Sequence, residues 1–137
     1  MRISANGIFT ASALTALAIL AASCQSKRAP VATNTQPRTA LSTMERVAIA
    51  AHGCWFKWSD PAFARYTMAP ELNSFTGRPR FLVVERNQPT GRPVLVVQAE
   101  GNPAKLEAFG PLMSGPEQAR ISSDINRWAS GTKSCQA

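Results

Sequence analysis

Two short apolar runs separated by a cluster of turn-forming residues constrain the fold of this chain most strongly. The runs 81–86 and 94–99 read FLVVER and VLVVQA, and both are rich in the β-branched residues that favour strands. The seven residues between them include two prolines, a glycine and an asparagine, which indicate a turn. We therefore predict an antiparallel hairpin. Because both runs are apolar on both faces for four residues, the sheet needs two covered faces, or one covered face and one face for a partner.

A helical pattern precedes this β region. Ser42 and Glu45 have the spacing of a capping box. Apolar residues then recur on one helix face: Met44, Val47, Ala48, Ala51 and Trp55. We predict a helix over about 42–57, followed by a short helical turn that Asp60 caps and that begins at Pro61. We expect Trp55 and Trp58 in the core or at its margin, and any exposed aromatic residue nearby would mark a protein-binding patch.

A second helical pattern follows the β region. Ile121, Ile125 and Trp128 have helical spacing, and Gly131 stands where a helix end is expected. Ser114 and Glu117 again have the spacing of a capping box, so we predict a helix over about 116–130.

Two further segments, Glu71–Phe75 and Ala104–Phe109, are expected to be short strands. The prediction is an α+β domain over residues 41–137: a small antiparallel sheet of three to four strands with N- and C-terminal helices packed on one face.

The N-terminal segment is expected to lie outside this domain. Arg2 is followed by sixteen uncharged residues, 8–23, which are rich in alanine, serine and threonine. The run is shorter than the roughly 20 apolar residues of a membrane-spanning helix. A basic start, a short apolar stretch and small residues at its end are typical of a secretory signal peptide, here residues 1–23.

The segment Leu20-Ala21-Ala22-Ser23-Cys24 resembles the lipobox of bacterial lipoproteins. The resemblance covers about 24 residues and implies that Cys24 is acylated and becomes the mature N-terminus. Ala21 departs from the pattern, which usually has leucine there, so ordinary cleavage to a secreted or periplasmic soluble protein is the alternative. No aspartate follows Cys24, which in this family implies the outer membrane and a periplasm-facing protein rather than the inner membrane.

Residues 24–40 are expected to form a flexible tether. They contain two prolines, several small polar residues and no large aliphatic or aromatic side chain before Leu41. Three of the chain's basic residues lie here, Lys27, Arg28 and Arg38, and near an anionic leaflet each contributes up to about 1 kcal/mol of attraction. The alternative is a solvated linker whose charges have no specific role. The chain as a whole has a formal charge of +7, but eleven basic and eight acidic residues follow position 40, which leaves the domain at +3.

The remaining cysteines, Cys54 and Cys135, are an even number in an oxidising compartment and are expected to form a disulfide. The alternative is a catalytic thiol at Cys54 beside His52, but residues two apart on a helix do not face each other. One histidine and two distant cysteines cannot fill a zinc site, so we expect no metal.

Catalytic motifs are absent from the sequence, which contains no G-x-S-x-G, P-loop or G-x-G-x-x-G. We therefore expect no catalytic residues, no cofactor and no enzymatic activity. Four arginines in or beside the hairpin are candidates for contact with an anion or a partner: Arg78, Arg80, Arg86 and Arg92. The alternative is that they protect a sheet edge against aggregation.

The expected function is that of a lipid-anchored envelope protein with a non-catalytic binding, scaffolding or assembly role. Its partners are expected to be the membrane, through the anchor, and an envelope protein or an anionic envelope polymer. Nucleic acid is not expected, because the signal directs the chain out of the cytoplasm and no nucleic-acid motif is present. The alternative function is a small periplasmic hydrolase or enzyme inhibitor.

Overall fold

The protein, seen in a computed structural model that describes residues 38–135, has the element order helix, four strands, helix. The elements are α1 (Ala40–Ala51), β1 (Tyr66–Glu71), β2 (Arg80–Glu85), β3 (Leu95–Glu100), β4 (Lys105–Phe109) and α2 (Gln118–Ala129). Each strand pairs antiparallel with the next one in the chain. The predicted α+β fold is therefore confirmed, with four strands and a helix at each end of the described segment. None of the helices within residues 38–135 combines the length and apolarity needed to cross a bilayer.

Helix α1 begins earlier than predicted and ends differently. Its cap is Thr39, whose hydroxyl accepts a hydrogen bond from the backbone N–H of Ser42, so the expected capping box at Ser42 is wrong. After Ala51 the helix widens into a π-helical turn, His52–Lys57, in which the N–H of Trp58 reaches the carbonyl of Gly53 at 3.0 Å. The predicted span of 42–57 is thus helical, but its last turn contains an extra residue.

The first strand is not where the sequence suggested. Strand β1 occupies Tyr66–Glu71, whereas the predicted strand Glu71–Phe75 is mostly a loop with Phe75 fully exposed. The difference arises at Pro70: β1 is an edge strand, where a residue without an N–H loses no ladder hydrogen bond. The capped turn after Asp60 is confirmed at Pro61–Phe63, with the Asp60 carboxylate accepting from the N–H of Ala62.

The second helix is confirmed with small shifts at its ends. Gly131 follows it with φ 105°, the left-handed region that glycine adopts readily, and the N–H of Thr132 bonds to the carbonyl of Arg127 at 3.2 Å. The capping box predicted at Ser114 does not form, because Ser114 belongs to a separate short turn, Pro111–Ser114, and Glu117 precedes the helix without a side-chain cap.

The core lies between both helices and one face of the sheet. Apolar side chains from every layer are at most 1% exposed there: Met44, Val47, Trp55, Phe81, Val83, Leu95, Val97, Ile121 and Trp128. The indole of Trp55 is central. It stacks on Phe63 with ring centroids 4.4 Å apart and meets Trp128 at 5.0 Å.

The opposite face of the sheet carries an apolar row bordered by a polar row. The apolar row crosses all four strands and consists of Ala69, Leu82, Val96 and Phe109. The polar row beside it consists of Glu71, Arg80, Gln98 and Glu107, which bond in pairs at 2.6 and 2.8 Å. Phe109 is 47% exposed, so this face is partly apolar and partly open to solvent.

The meander gives the domain two ends. The entry end holds Arg38, the β1–β2 loop (72–79) and the β3–β4 turn (101–104). Hydrogen bonds join residues 38–40 to the β3–β4 turn, from the Ala40 N–H to the Gly101 carbonyl (2.9 Å) and from the Ala104 N–H to the Arg38 carbonyl (2.7 Å). The far end holds the π-helical turn, the Pro61–Phe63 turn and the β2–β3 loop (86–94). Residues 40–57 run from one end to the other, roughly 25 Å at about 1.5 Å per residue.

Candidate interaction surface

The far end is shaped by the irregular termination of the first helix. The π-helical turn ends at Trp58, and the next residue, Ser59, has φ 56°, a conformation that non-glycine residues seldom adopt. π-helical turns and strained backbone positions are found more often at functional sites than elsewhere. The two features adjoin here and together turn the side chain of Trp58 out of the core.

Trp58 and, one helix segment before it, Ile49 are exposed apolar residues, each with 73% of its surface open to solvent. They line a groove of about 330 Å³ between the end of α1 and the segment 131–135. Arg46 and Lys133 border the same groove. The expectation that Trp55 is buried is confirmed, whereas the expectation that Trp58 belongs to the core is wrong. Trp58 is instead the exposed aromatic residue that would mark a partner surface.

A second, more polar cleft of about 760 Å³ shares Trp58 as a wall. Its other walls include Asp60, Arg120 and Ser123. Arg120 forms an ion pair with Asp60, a second one with Glu117 at 3.3 Å, and lies over the ring of Phe63 at 5.7 Å. The charges of this cleft are therefore bonded to one another, and its shape is held by contacts between α2 and the turn after α1.

A buried carboxylate supports the base of the cleft. Asp124 is 4% exposed and accepts a hydrogen bond from the indole N–H of Trp55 at 2.8 Å. It also forms an ion pair with Arg127, whose Nε donates to the carbonyl of Ser134 at 3.2 Å. The indole N–H of Trp128 donates to the same carbonyl at 3.0 Å. These bonds join the π-helical turn, α2 and the C-terminal segment of the described chain.

The disulfide lies between the groove and the cleft. Cys54 and Cys135 are bonded, with Cα atoms 5.0 Å apart, and both residues line both depressions. The bridge attaches the segment after α2 to the π-helical turn. Because Cys54 is held in this bond, it offers no thiol for the alternative of nucleophilic catalysis with His52. Cys24, the expected acylation site, lies outside the described residues.

The four candidate arginines are divided between the two ends. At the entry end Arg78 pairs with Glu100 at 2.9 Å and Arg80 with Glu71 at 2.6 Å. At the far end Arg86 donates to the carbonyl of Tyr66 at 3.3 Å, and Arg92 is exposed. Arg80 and Arg86 are six strand residues apart, roughly 20 Å at about 3.3 Å per residue. The arginines therefore do not form one patch, and two of them are bonded to carboxylates.

The ion pair between Arg65 and Glu85 at the far end changes the pKa of Arg65. The Nη2 of Arg65 donates to Glu85 at 2.8 Å, and this hydrogen bond, together with the charge of Glu85, raises the pKa of Arg65 above its ordinary value. The pair is solvent-exposed and keeps the guanidinium charged.

Within residues 38–135 no three His, Cys, Asp or Glu side chains are grouped so that they could hold a metal ion. No family model, curated protein or solved structure matches this chain. Its role is therefore argued from its own residues.

The sequence offered partial signals for this surface. Ile49 lies outside the apolar stripe of α1, so an aliphatic residue on the polar face was visible from the pattern. Trp58 could not be recognised, because its orientation depends on the π-helical turn, which adds a residue to the helix and changes the face on which position 58 falls.

Proposed function

We propose that this protein is a lipid-anchored protein of the cell envelope, attached through Cys24 to the outer membrane and facing the periplasm, and that it binds a partner protein without catalysis. The observation that carries the binding role is Trp58, a large aromatic side chain that is 73% exposed beside the disulfide. Aromatic side chains of this kind are enriched among the residues that dominate binding energies. The lipobox resemblance carries the anchoring role.

The groove favours a partner segment with an apolar anchor and an acidic residue. Ile49 and Trp58 supply the apolar contact, and Arg46 and Lys133 supply positive charge at its border. The described residues that line the groove include no aspartate or glutamate. A protein segment that combines an aliphatic or aromatic side chain with a carboxylate would match both properties.

The position of the groove suits an anchored protein. It extends from the middle of α1 to the far end, where Trp58 lies roughly 25 Å along α1 and the π-helical turn from the point at which the chain enters the domain. A partner bound there is displaced from the side of the domain to which the anchor is connected. The disulfide holds the backbone of the groove in place before binding, which reduces the entropy lost on association.

The alternative of a small periplasmic hydrolase has less support. A hydrolase of this size would rely on carboxylates in a cleft, and the candidates are Asp60 and Asp124. Both are bonded to arginines, Asp60 to Arg120 and Asp124 to Arg127. These ion pairs favour a structural role for both carboxylates.

The anchor is tested by mass spectrometry of the mature protein. We expect the N-terminal peptide to begin at Cys24 and to carry the added mass of acyl chains, and we expect Cys24→Ser to move the protein from the membrane fraction to the soluble fraction. Acyl chains contribute about 0.8 kcal/mol per buried methylene, so several chains on one cysteine hold a protein firmly. A mature protein with an unmodified N-terminus would refute the anchor.

The partner surface is tested by crosslinking in intact cells. A photo-reactive amino acid at position 49 is expected to produce a defined adduct with one envelope protein. Trp58→Ala should weaken that adduct at least tenfold, since interface anchors of this type contribute about 2 kcal/mol or more. Lys133→Glu should weaken it as well, because it reverses the charge at the groove's border.

The matched control is Phe109→Ala, an exposed aromatic residue on the sheet face that points away from the helices, which should leave the adduct unchanged. The purified adduct partner should then bind the wild-type protein directly and bind the Trp58→Ala variant at least tenfold more weakly. An adduct that is equally strong with Trp58→Ala and with Phe109→Ala would contradict the proposed surface.

A further inference from the structure

The β1–β2 loop presents a phenylalanine at the entry end. Phe75 is 107% exposed, the highest value among the exposed large apolar residues of the described chain. A turn holds it outward, since the N–H of Gly77 bonds to the carbonyl of Ser74 at 3.0 Å and Gly77 has φ 70°. The hydroxyls of Ser74 and Thr76 form a hydrogen bond with each other at 2.8 Å. The tip of the loop therefore has fewer polar groups that depend on water for a hydrogen bond.

This loop lies at the same end of the sheet as the point where the chain enters the domain. The end of β3 is joined to it by a hydrogen bond from the N–H of Ala99 to the carbonyl of Pro79 at 3.1 Å. The β3–β4 turn that follows is bonded in turn to Arg38 and Ala40. Any group attached to the chain before Arg38 is therefore connected to the end that carries Phe75.

The charge of the entry end is positive. Four basic residues lie there: Arg38, Arg78, Arg80 and Lys105. Of the acidic residues near them, Glu71 and Glu100 are each bonded to one of the arginines, and Glu107, further along β4, accepts a hydrogen bond from Gln98. Within the described part of the chain neither Arg38 nor Lys105 forms an ion pair, so two positive charges remain available.

We infer that the Phe75 loop is a second membrane contact: its ring inserts into the interfacial region of an anionic bilayer while Arg38 and Lys105 face the phosphates of the lipid headgroups. The inference rests on the proposed lipid anchor. Cys24 and Arg38 are fourteen residues apart, a span of at most about 50 Å, so an acylated Cys24 keeps this end of the domain close to the leaflet. An aromatic side chain with adjacent basic residues is the composition that favours the membrane interface.

The orientation of the domain follows from this contact. With the entry end on the membrane, the far end with Trp58 points into the aqueous compartment. The acyl chains fix the domain to the membrane, and the loop limits how it can rotate about the tether. The two contacts together would present the groove to partners in a constant direction.

The test uses the full acylated chain in vesicles of phosphatidylethanolamine and phosphatidylglycerol. A fluorescent aromatic amino acid is placed at position 75 or, as the matched control, at the exposed position Asn87 in the β2–β3 loop of the far end. Brominated lipids are expected to quench the fluorescence at position 75. The fluorescence at position 87 should be the same in brominated and in bromine-free vesicles. Equal quenching at both positions, or none at position 75, would overturn the inference.

A second measurement uses the native side chains without the anchor. The Cys24→Ser chain is titrated with the same vesicles, and Phe75→Ser is expected to weaken its binding about tenfold. Lys105→Glu should weaken it roughly tenfold at low salt, whereas Arg92→Glu, the same charge change at the far end, should not. Equal effects of Lys105→Glu and Arg92→Glu would show that net charge alone attracts the domain to the vesicles. That result would overturn the assignment of the entry end as the membrane contact.

Different results would refute the lipid anchor at Cys24 and the membrane contact of the Phe75 loop. An unmodified Cys24 together with Phe75-dependent vesicle binding would refute the anchor and leave the loop contact standing. An acylated Cys24 together with an unquenched position 75 would refute the loop contact and leave the anchor standing.

Discussion

Replacing Cys54 and Cys135 together by serine is expected to lower the free energy of unfolding by about 4.5 kcal/mol, because the bridge closes a loop of 81 residues and removes much of the unfolded chain's freedom. A domain of this size is typically stable by only about 5–15 kcal/mol. The variant should therefore melt at a temperature lower by roughly 20 °C or more. Thermal unfolding of the full chain, followed by near-ultraviolet circular dichroism, measures the change.

Chemical reduction of the wild-type protein supplies an independent comparison. Reduced wild type and the double serine variant should melt at the same temperature, since both lack the same constraint. The single variants should be at least as unstable, because each leaves an unpaired thiol at the far end. A loss below about 1 kcal/mol in the double variant would contradict the assignment of the bridge as a major stabilising element.

Asp124→Ala is expected to destabilise the protein by about 3 kcal/mol or more. The substitution leaves the indole N–H of Trp55 without its acceptor inside the core, and it removes the charge partner of Arg127, whose side chain is only 14% exposed. Breaking a buried pair by deleting one partner typically costs about 3–5 kcal/mol. Urea unfolding at neutral pH measures the loss as a shift in the midpoint.

Two comparisons separate this carboxylate from ordinary surface charges. Asp124→Asn keeps one oxygen, which can accept from Trp55 or from Arg127, and should cost about half as much. Glu100→Gln breaks the exposed pair with Arg78 and should change stability by less than about 1 kcal/mol. Similar losses for Asp124→Ala and Glu100→Gln would show that the buried network contributes little.

Much of the fold could be predicted from residue patterns, because its elements are locally encoded. The hairpin of β2 and β3 follows from two β-branched runs around a proline- and glycine-containing turn, and both helices follow from apolar stripes of helical spacing. Cys54 and Cys135 could be paired because the predicted signal peptide implies an oxidising compartment and because the predicted acylation of Cys24 leaves no other thiol to compete.

The sequence-based predictions that were wrong concern features that depend on tertiary contacts. Strand β1 contains Pro70, and only its place at the sheet edge makes that residue compatible with a strand. Trp58 followed Trp55 at an apparently helical spacing, and the π-helical turn moved it to the surface. The hairpin arginines were close in sequence, but the two ends of a strand are far apart, so Arg80 and Arg86 are separated along it. Neither the ends of a sheet nor a widened helical turn has a reliable local signal.

The position of the disulfide would also affect the order of events during the proposed export. A chain that emerges amino end first would present Cys24 and Cys54 to an oxidising environment before Cys135 arrives, because all four strands and α2 lie between the bridged cysteines. In that interval Cys24, thirty positions before Cys54, is the nearest competing thiol. Acylation of Cys24 would remove this competitor. The lipid would thereby direct Cys54 to its native partner as well as attach the protein to the membrane. The disulfide between Cys54 and Cys135 could form only after the whole sheet had emerged.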